Sequence, residues 1–248
     1  MTRRYFIELS FDGAAYHGWQ VQPNAMTVQQ KLNDALTTLL GETIETVGAG
    51  RTDAGVNASM MVAHFDLDEN NGRFESCEQL AYRLNRILPR DIAVKDVRQV
   101  DGEMHARFSA KSRTYHYFVT TYKSPFHRHY AYQLPFVVDF EAMNRAAKIL
   151  LDVSDFTSFS KLHTDTKTNI CHVTEAFWTE LEPGYWRFTI TADRFLRNMV
   201  RAVVGTLLEV GRGRLTEGGL KEIIEKKDRC EAGDSVIGNA LFLTRIIY

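Results

Sequence analysis

The chain is short of cysteine and shows no pattern in what it has. Cys77, Cys171 and Cys230 are odd in number and far apart along 248 residues. They make neither a disulfide framework nor a CxxC or zinc-ligand spacing, so reduced, buried thiols of a cytoplasmic protein are the reading they support. No apolar run approaches the roughly 18 to 20 residues of a membrane span, and Met1-Thr-Arg-Arg-Tyr-Phe lacks the apolar region of a signal peptide. HExxH, GxSxG and a complete GxGxxG are all missing, which leaves zinc hydrolysis, nucleophile-elbow acyl transfer and dinucleotide binding without sequence support. Glycosidases generally need two carboxylates, and only one acid stands in a conspicuous glycine-rich setting. Extended Pro, Ser or Gly linkers are lacking too. With 44% hydrophobic and 25% charged residues, the chain has ordinary soluble composition, long enough for one large domain or two small ones.

Net positive charge is also lacking: the formal balance is −1, which by itself argues against a nucleic-acid binder. Its distribution argues the other way. Between Met104 and Val138 there is no Asp or Glu, while Arg107, Lys111, Arg113, Lys123 and Arg128 stand there with His105, His116, His127 and His129. From Arg187 to Arg214, six arginines face only Asp193 and Glu209, and acids gather at Asp66 to Glu69 and Glu222 to Glu231. Such segregation suits a protein that turns one face to phosphates.

Periodicity predicts a strand over Arg4 to Phe11 and a helix from Thr27, carried by Val28, Leu32, Ala35, Leu36 and Leu39 and ended by Gly41. Strands follow near Thr43 to Gly48 and Met60 to Asp66. A second helix starts at Ser76 with Gln79 completing a capping box, buries Cys77, Leu80, Ala81, Leu84, Ile87 and Leu88, and stops at Pro89 before a strand over Ile92 to Val100. The order then recurs. A strand spans Lys111 to Thr121 and a helix Asp139 to Leu151. A hairpin pairs Cys171 to Glu180 with Tyr185 to Thr191, and a long helix runs from Asp193 to Val210. A shorter helix over Thr216 to Lys227 and a strand over Leu241 to Tyr248 complete it. Both parts read β-α-β-β-α-β, with one added helix in the second. The expected fold is α+β: two split-βαβ, ferredoxin-like halves, 1–108 and 109–248, with antiparallel or mixed sheets, helices on one side, and a cleft between them.

Three segments can carry chemistry. Gly48-Ala-Gly-Arg-Thr-Asp-Ala-Gly-Val56 places three glycines between two strands, where the backbone can take positive φ and approach a ligand. Arg51 and Asp53 stand two apart and point the same way if extended, an arrangement that keeps a carboxylate ionised. A glycine-rich turn with a surface ion pair is the alternative. The strand Lys111-Ser-Arg-Thr-Tyr-His-Tyr117 puts Arg113, Tyr115 and Tyr117 on one face, which suits an extruded base or, equally, an aromatic ladder in a core. On the helix from Asp193, Arg194, Arg197 and Arg201 align with Gly205. That row can admit a phosphate or a carboxylate, or it is a solvated face.

Taken together these stretches resemble the tRNA pseudouridine synthase A family along essentially the whole chain. The resemblance rests on Phe11-Asp-Gly-Ala-Ala-Tyr-His-Gly-Trp-Gln20, Thr27-Val-Gln29, Gly50-Arg-Thr-Asp-Ala-Gly-Val56 and Leu84-Asn-Arg-Ile-Leu-Pro-Arg-Asp-Ile92. Further on it rests on His105-Ala-Arg-Phe-Ser-Ala110, Tyr115-His-Tyr117, Asp155-Phe-Thr-Ser-Phe159, and Phe195-Leu-Arg-Asn-Met-Val-Arg201 with Gly205. It implies Asp53 as catalytic aspartate, Tyr115 as the residue that stacks on the target base, Arg201 as the partner of Asp53, and Arg51 as an aid to flipping the nucleotide. Arg107, Arg113 and Arg197 join as RNA contacts. A cytoplasmic homodimer with tRNA across both subunits, targets at positions 38 to 40 of the anticodon arm, and no cofactor or metal are implied as well. The sequence departs from the family at Asn57 and Asn198, where His is usual, and over Gly233 to Phe242.

Overall fold

The computed structural model describes residues 2–161 and 168–248. These form a mixed α+β structure with five α-helices and mostly antiparallel strand pairing. Contacts divide the chain into two units: one runs through Lys111 and takes up Leu243–Tyr248, and the other is Ser112–Phe242.

In the first unit β1 (Thr2–Phe11) lies between β3 (Asn57–Asp68) and β4 (Ile92–Val100), antiparallel to both. The closing strand β9 (Leu241–Ile247) also borders β3. Tyr5, Phe6, Ile7, Leu9 and Phe11 of β1 are all buried, so the middle of this strand is covered on both faces. Helix α1 (Val28–Leu40) starts as its sequence predicts: the Thr27 hydroxyl accepts from the Gln30 N–H, and Gly41 ends it at φ +73°. Leu40, rather than Leu39, completes its buried stripe. The strand expected over Thr43 to Gly48 shrinks to β2 (Val47–Gly48), because side chains of α1 claim the backbone before it. Thr37 Oγ1 accepts from Ile44 N, and Asn33 Oδ1 accepts from Thr46 N.

Helix α2 (Cys77–Ile87) is capped by Ser76 as expected, but only Leu80 and Leu84 are buried within it, and Ile87 is exposed. Its Asn85 donates to Val94 O (2.7 Å) and accepts from Val94 N (2.8 Å), satisfying a residue of the outer strand β4.

The second unit pairs β5 (Ser112–Thr120), β8 (Tyr185–Ala192) and β7 (Val173–Glu182) in that order, all antiparallel. A short β6 (Tyr132–Gln133), not anticipated, runs parallel to β5. Helix α3 (Phe140–Lys148) continues into a 3₁₀ turn. Its Asn144 repeats the device of Asn85, donating to Trp178 O and accepting from Trp178 N of the outer strand β7.

Helix α4 (Met199–Gly211) is buried along nearly its whole length, and α5 (Glu217–Lys226) is capped by Thr216. The expected start of α4 at Asp193 is wrong by almost two turns. Asn198 sits at φ +67°, a left-handed value that asparagine tolerates better than most residues. The preceding backbone has other partners: Asp193 Oδ1 accepts from His172 N and Arg194 N, and Arg197 O accepts from Lys161 N. Arg194 and Arg197 therefore stand outside the helix, and the expected row of three arginines on one helical face does not form.

Candidate active-site loop and its surroundings

The loop carrying Arg51 and Asp53 joins β2 to β3 in the first unit. Exposure alternates along it: Arg51 exposed, Thr52 buried, Asp53 half-buried. Of its three glycines only Gly55 takes positive φ (+75°); Gly48 lies against the Trp19 indole, and a Cβ on Gly50 would meet open space.

A second segment, Gly13 to Trp19, holds this loop from beneath. The first free N–H groups of α1, on Val28 and Gln29, donate to Gly18 O and Trp19 O, which meets the usual need of a helix amino end for acceptors. Trp19 N then donates to Thr52 O (3.3 Å), and Gly55 N to Tyr16 O (3.2 Å). Asn57 Oδ1 accepts from Gly13 N (2.8 Å). A side chain at Gly13 would strike Val56 O, and one at Gly18 would strike Thr52 O. The two motifs are one structure.

Tyr16 fixes it to a third. Its hydroxyl donates to Asp91 Oδ1 (2.7 Å), while Asp12 N donates to Asp91 O (2.9 Å). Burial first, and then the Asp91 carboxylate, push the Tyr16 hydroxyl above the ordinary tyrosine range, so it remains a donor. Sequence reasoning assigned no role to Tyr16 or Asp91. The only signal was their place in matching stretches. Asn57, where the sequence departs from the family, is 1% exposed and serves the loop's internal bonding.

Arg51 and Arg107 meet at a recess of about 110 Å³, lined also by Trp19, Gln29, Gly48 and Gly50. It directly adjoins the Asp53 loop. A larger open depression of about 390 Å³ lies around Gly41, Glu42 and Asn70 to Arg73 and holds none of the candidate residues.

In the second unit, Tyr115 lies on β5 opposite Ile190, its ring edge-on to Phe195 with centroids 5.1 Å apart. Arg113 Nη1 donates to Asp193 O (2.7 Å). Tyr117 is fully buried with its hydroxyl on Ile237 O, so for it the core reading holds. Arg201 sits in the first turn of α4. Its Nε donates to Val236 O (2.7 Å), and its carbonyl accepts from Val236 N. The open side expected at Gly205 is filled, since a Cβ there would strike Asp234 O. Gly233 N bonds Thr206 Oγ1, Asn198 Nδ2 bonds Ser235 Oγ, and Arg229 bonds Ser235 Oγ. The Gly233 to Val236 strap that departs from the family pattern thus lies along α4, where Gly205 admits it rather than a phosphate. Arg197 is exposed.

The sequence pattern of a family described as tRNA pseudouridine synthase matches residues 9–109 and 146–248. A tRNA pseudouridine synthase A of Parabacteroides distasonis is 59% identical over 99% of this chain and 96% of that protein. One of Bacteroides thetaiotaomicron is 57% identical over 99% and 91%, and one of Bacillus subtilis 41% identical over 97% and 97%. The chain belongs to the tRNA pseudouridine synthase family. It is therefore an isomerase by family. Among the described residues no group of three or more His, Cys, Asp or Glu is placed to hold a metal ion, and no helix is long and apolar enough to cross a membrane.

Proposed function

We propose that this chain isomerises uridine to pseudouridine in tRNA, at positions 38 to 40 of the anticodon arm, with Asp53 as the catalytic carboxylate and no cofactor. The family match along the chain, with Gly50-Arg-Thr-Asp-Ala-Gly-Val56 intact and braced from beneath, carries this reading. The reaction breaks C1′–N1, turns the uracil, joins C1′ to C5 and moves the C5 proton off the ring as N1 regains one. Nothing is oxidised and no group is lost.

In a paired stem the uridine is enclosed, so it is flipped out at a cost of about a few kcal/mol of unstacking. Arg51, with Arg107, Arg113 and Arg197 as further RNA contacts, offsets that cost through phosphate. Asp53 acts at the sugar, either as nucleophile at C1′ or as a base that gives a glycal. Tyr115 stacks on the uracil and stands ready to help take the C5 proton. Arg201 is the partner that holds and orients the Asp53 carboxylate, as a charge-assisted hydrogen bond would. Residues 1–108 and 109–248 make split-βαβ halves, and the enzyme is a cytoplasmic homodimer with tRNA across both subunits.

Two experiments test this. Mapping pseudouridine in tRNA from a strain lacking the protein should show loss at positions 38 to 40; unchanged modification there sinks the assignment. Tyr115→Phe, assayed by tritium release from tRNA labelled at uridine C5, separates stacking, which retains activity, from a role of the hydroxyl, which loses it.

A further inference from the structure

Phe108 is 76% exposed, more than any other large apolar side chain described in the first unit. A lone exposed ring is ordinary on a protein surface. This one is unusual in its footing. It rides on the turn His105-Ala-Arg-Phe-Ser109, whose backbone is bonded at nearly every step. His105 Nδ1 accepts from both Arg107 N (3.1 Å) and Phe108 N (3.3 Å), and Ser109 Oγ accepts from His105 N (2.9 Å). Ala106 N donates to His64 Nδ1, and Ala106 O accepts from the Tyr248 hydroxyl. The His105 ring lies 4.4 Å from that of Phe108, and the Arg107 guanidinium 5.6 Å from its centroid. Arg107 also lines the recess beside Arg51 and Gly50. One cation thus links the exposed ring to the edge of the catalytic loop, within a stretch that holds no acid from Met104 to Val138.

We propose that Phe108 is a base-stacking residue for the tRNA substrate. Its ring takes a nucleobase neighbouring the target uridine, and the phosphate beside that base sits between Arg107 and Arg51. The chemistry is that of single-stranded nucleic-acid sites, in which an aromatic face holds the base and a guanidinium the backbone. A turn fixed in advance gives up little ordering entropy when the base arrives. The proposal rests on tRNA being the substrate.

The test uses the full-length protein and an unmodified, end-labelled tRNA transcript, with Phe108→Ala, Phe108→Leu, Phe108→Tyr and Arg107→Ala. Phe108→Ala should weaken binding about tenfold, equal to about 1.4 kcal/mol, with the slope of log Kd against log salt unchanged. Arg107→Ala should lower that slope by about one, because it removes a phosphate contact. Phe108→Tyr should bind as the parent does, and Phe108→Leu as weakly as the alanine variant. Wild-type affinity in Phe108→Ala overturns the proposal. So does tight binding by Phe108→Leu, which would mean apolar contact without stacking. A shift of Phe108→Ala to a smaller species in sedimentation also overturns it, by assigning the ring to a subunit interface. Tritium release by the wild type is measured alongside: binding without release refutes the catalytic reading and leaves these arms intact.

Discussion

Tyr16 shows how a residue remote from any chemistry can decide where the carboxylate proposed as catalytic stands. Its carbonyl holds Gly55 two residues beyond Asp53, and its hydroxyl is anchored on Asp91. Tyr16→Phe leaves that carboxylate without its donor. It should cost about 1 kcal/mol in urea denaturation and lower turnover while tRNA affinity stays near the parent value. Unchanged single-turnover rates would show that the bond is only structural.

His64 gives a second, pH-linked prediction. Burial, then the Arg4 charge, then His105, lower its pKa from 6.5 to about 4. A histidine depressed in the folded state leaves stability intact above the unfolded value and erodes it as pH falls from 6.5 toward 4, since only the unfolded chain takes up the proton. The melting temperature of the protein should fall across that window. It should fall less in His64→Asn, whose side-chain oxygen can still accept from Ala106 N. At this scale the sequence singled out Asp53 and Arg51 as candidates through an unusual glycine loop. Tyr16, Asp91 and Asn57 were not legible, because their importance is a set of hydrogen bonds between segments distant in sequence.

The elements were legible where local signals ruled. Thr27, Ser76 and Thr216 cap helices as their residue types predict. Two boundaries moved because tertiary partners prevailed over the pattern: β2 lost Thr43 to Thr46, where Thr37 and Asn33 bind the backbone, and α4 lost its first turns to Asp193 and a left-handed Asn198. The same helix supplies a prediction. Gly205→Ala drives a methyl into Asp234 O and should cost about 1–3 kcal/mol, as overpacking does. By displacing the strap that receives Arg201 on Val236 O, it should also lower activity more than tRNA binding. Equal stability and equal activity in the variant would mean the strap is free to move away.

For the whole molecule, a net charge of −1 would suggest indifference to RNA if charge acted as a sum. Phosphate instead meets local cations, so tRNA affinity should fall steeply with salt despite that balance. A flat dependence measured by titration would contradict it. Family membership at 59% identity to a relative makes the reaction class plain, and the braced glycine loop is where the proposal puts its acid. Asp53→Asn keeps the shape of the loop and removes the ionised oxygen, so tRNA with tritium at uridine C5 should bind the variant with near-parent affinity and release no tritium. Release at the parent rate from the bound variant would show that the reaction does not pass through Asp53.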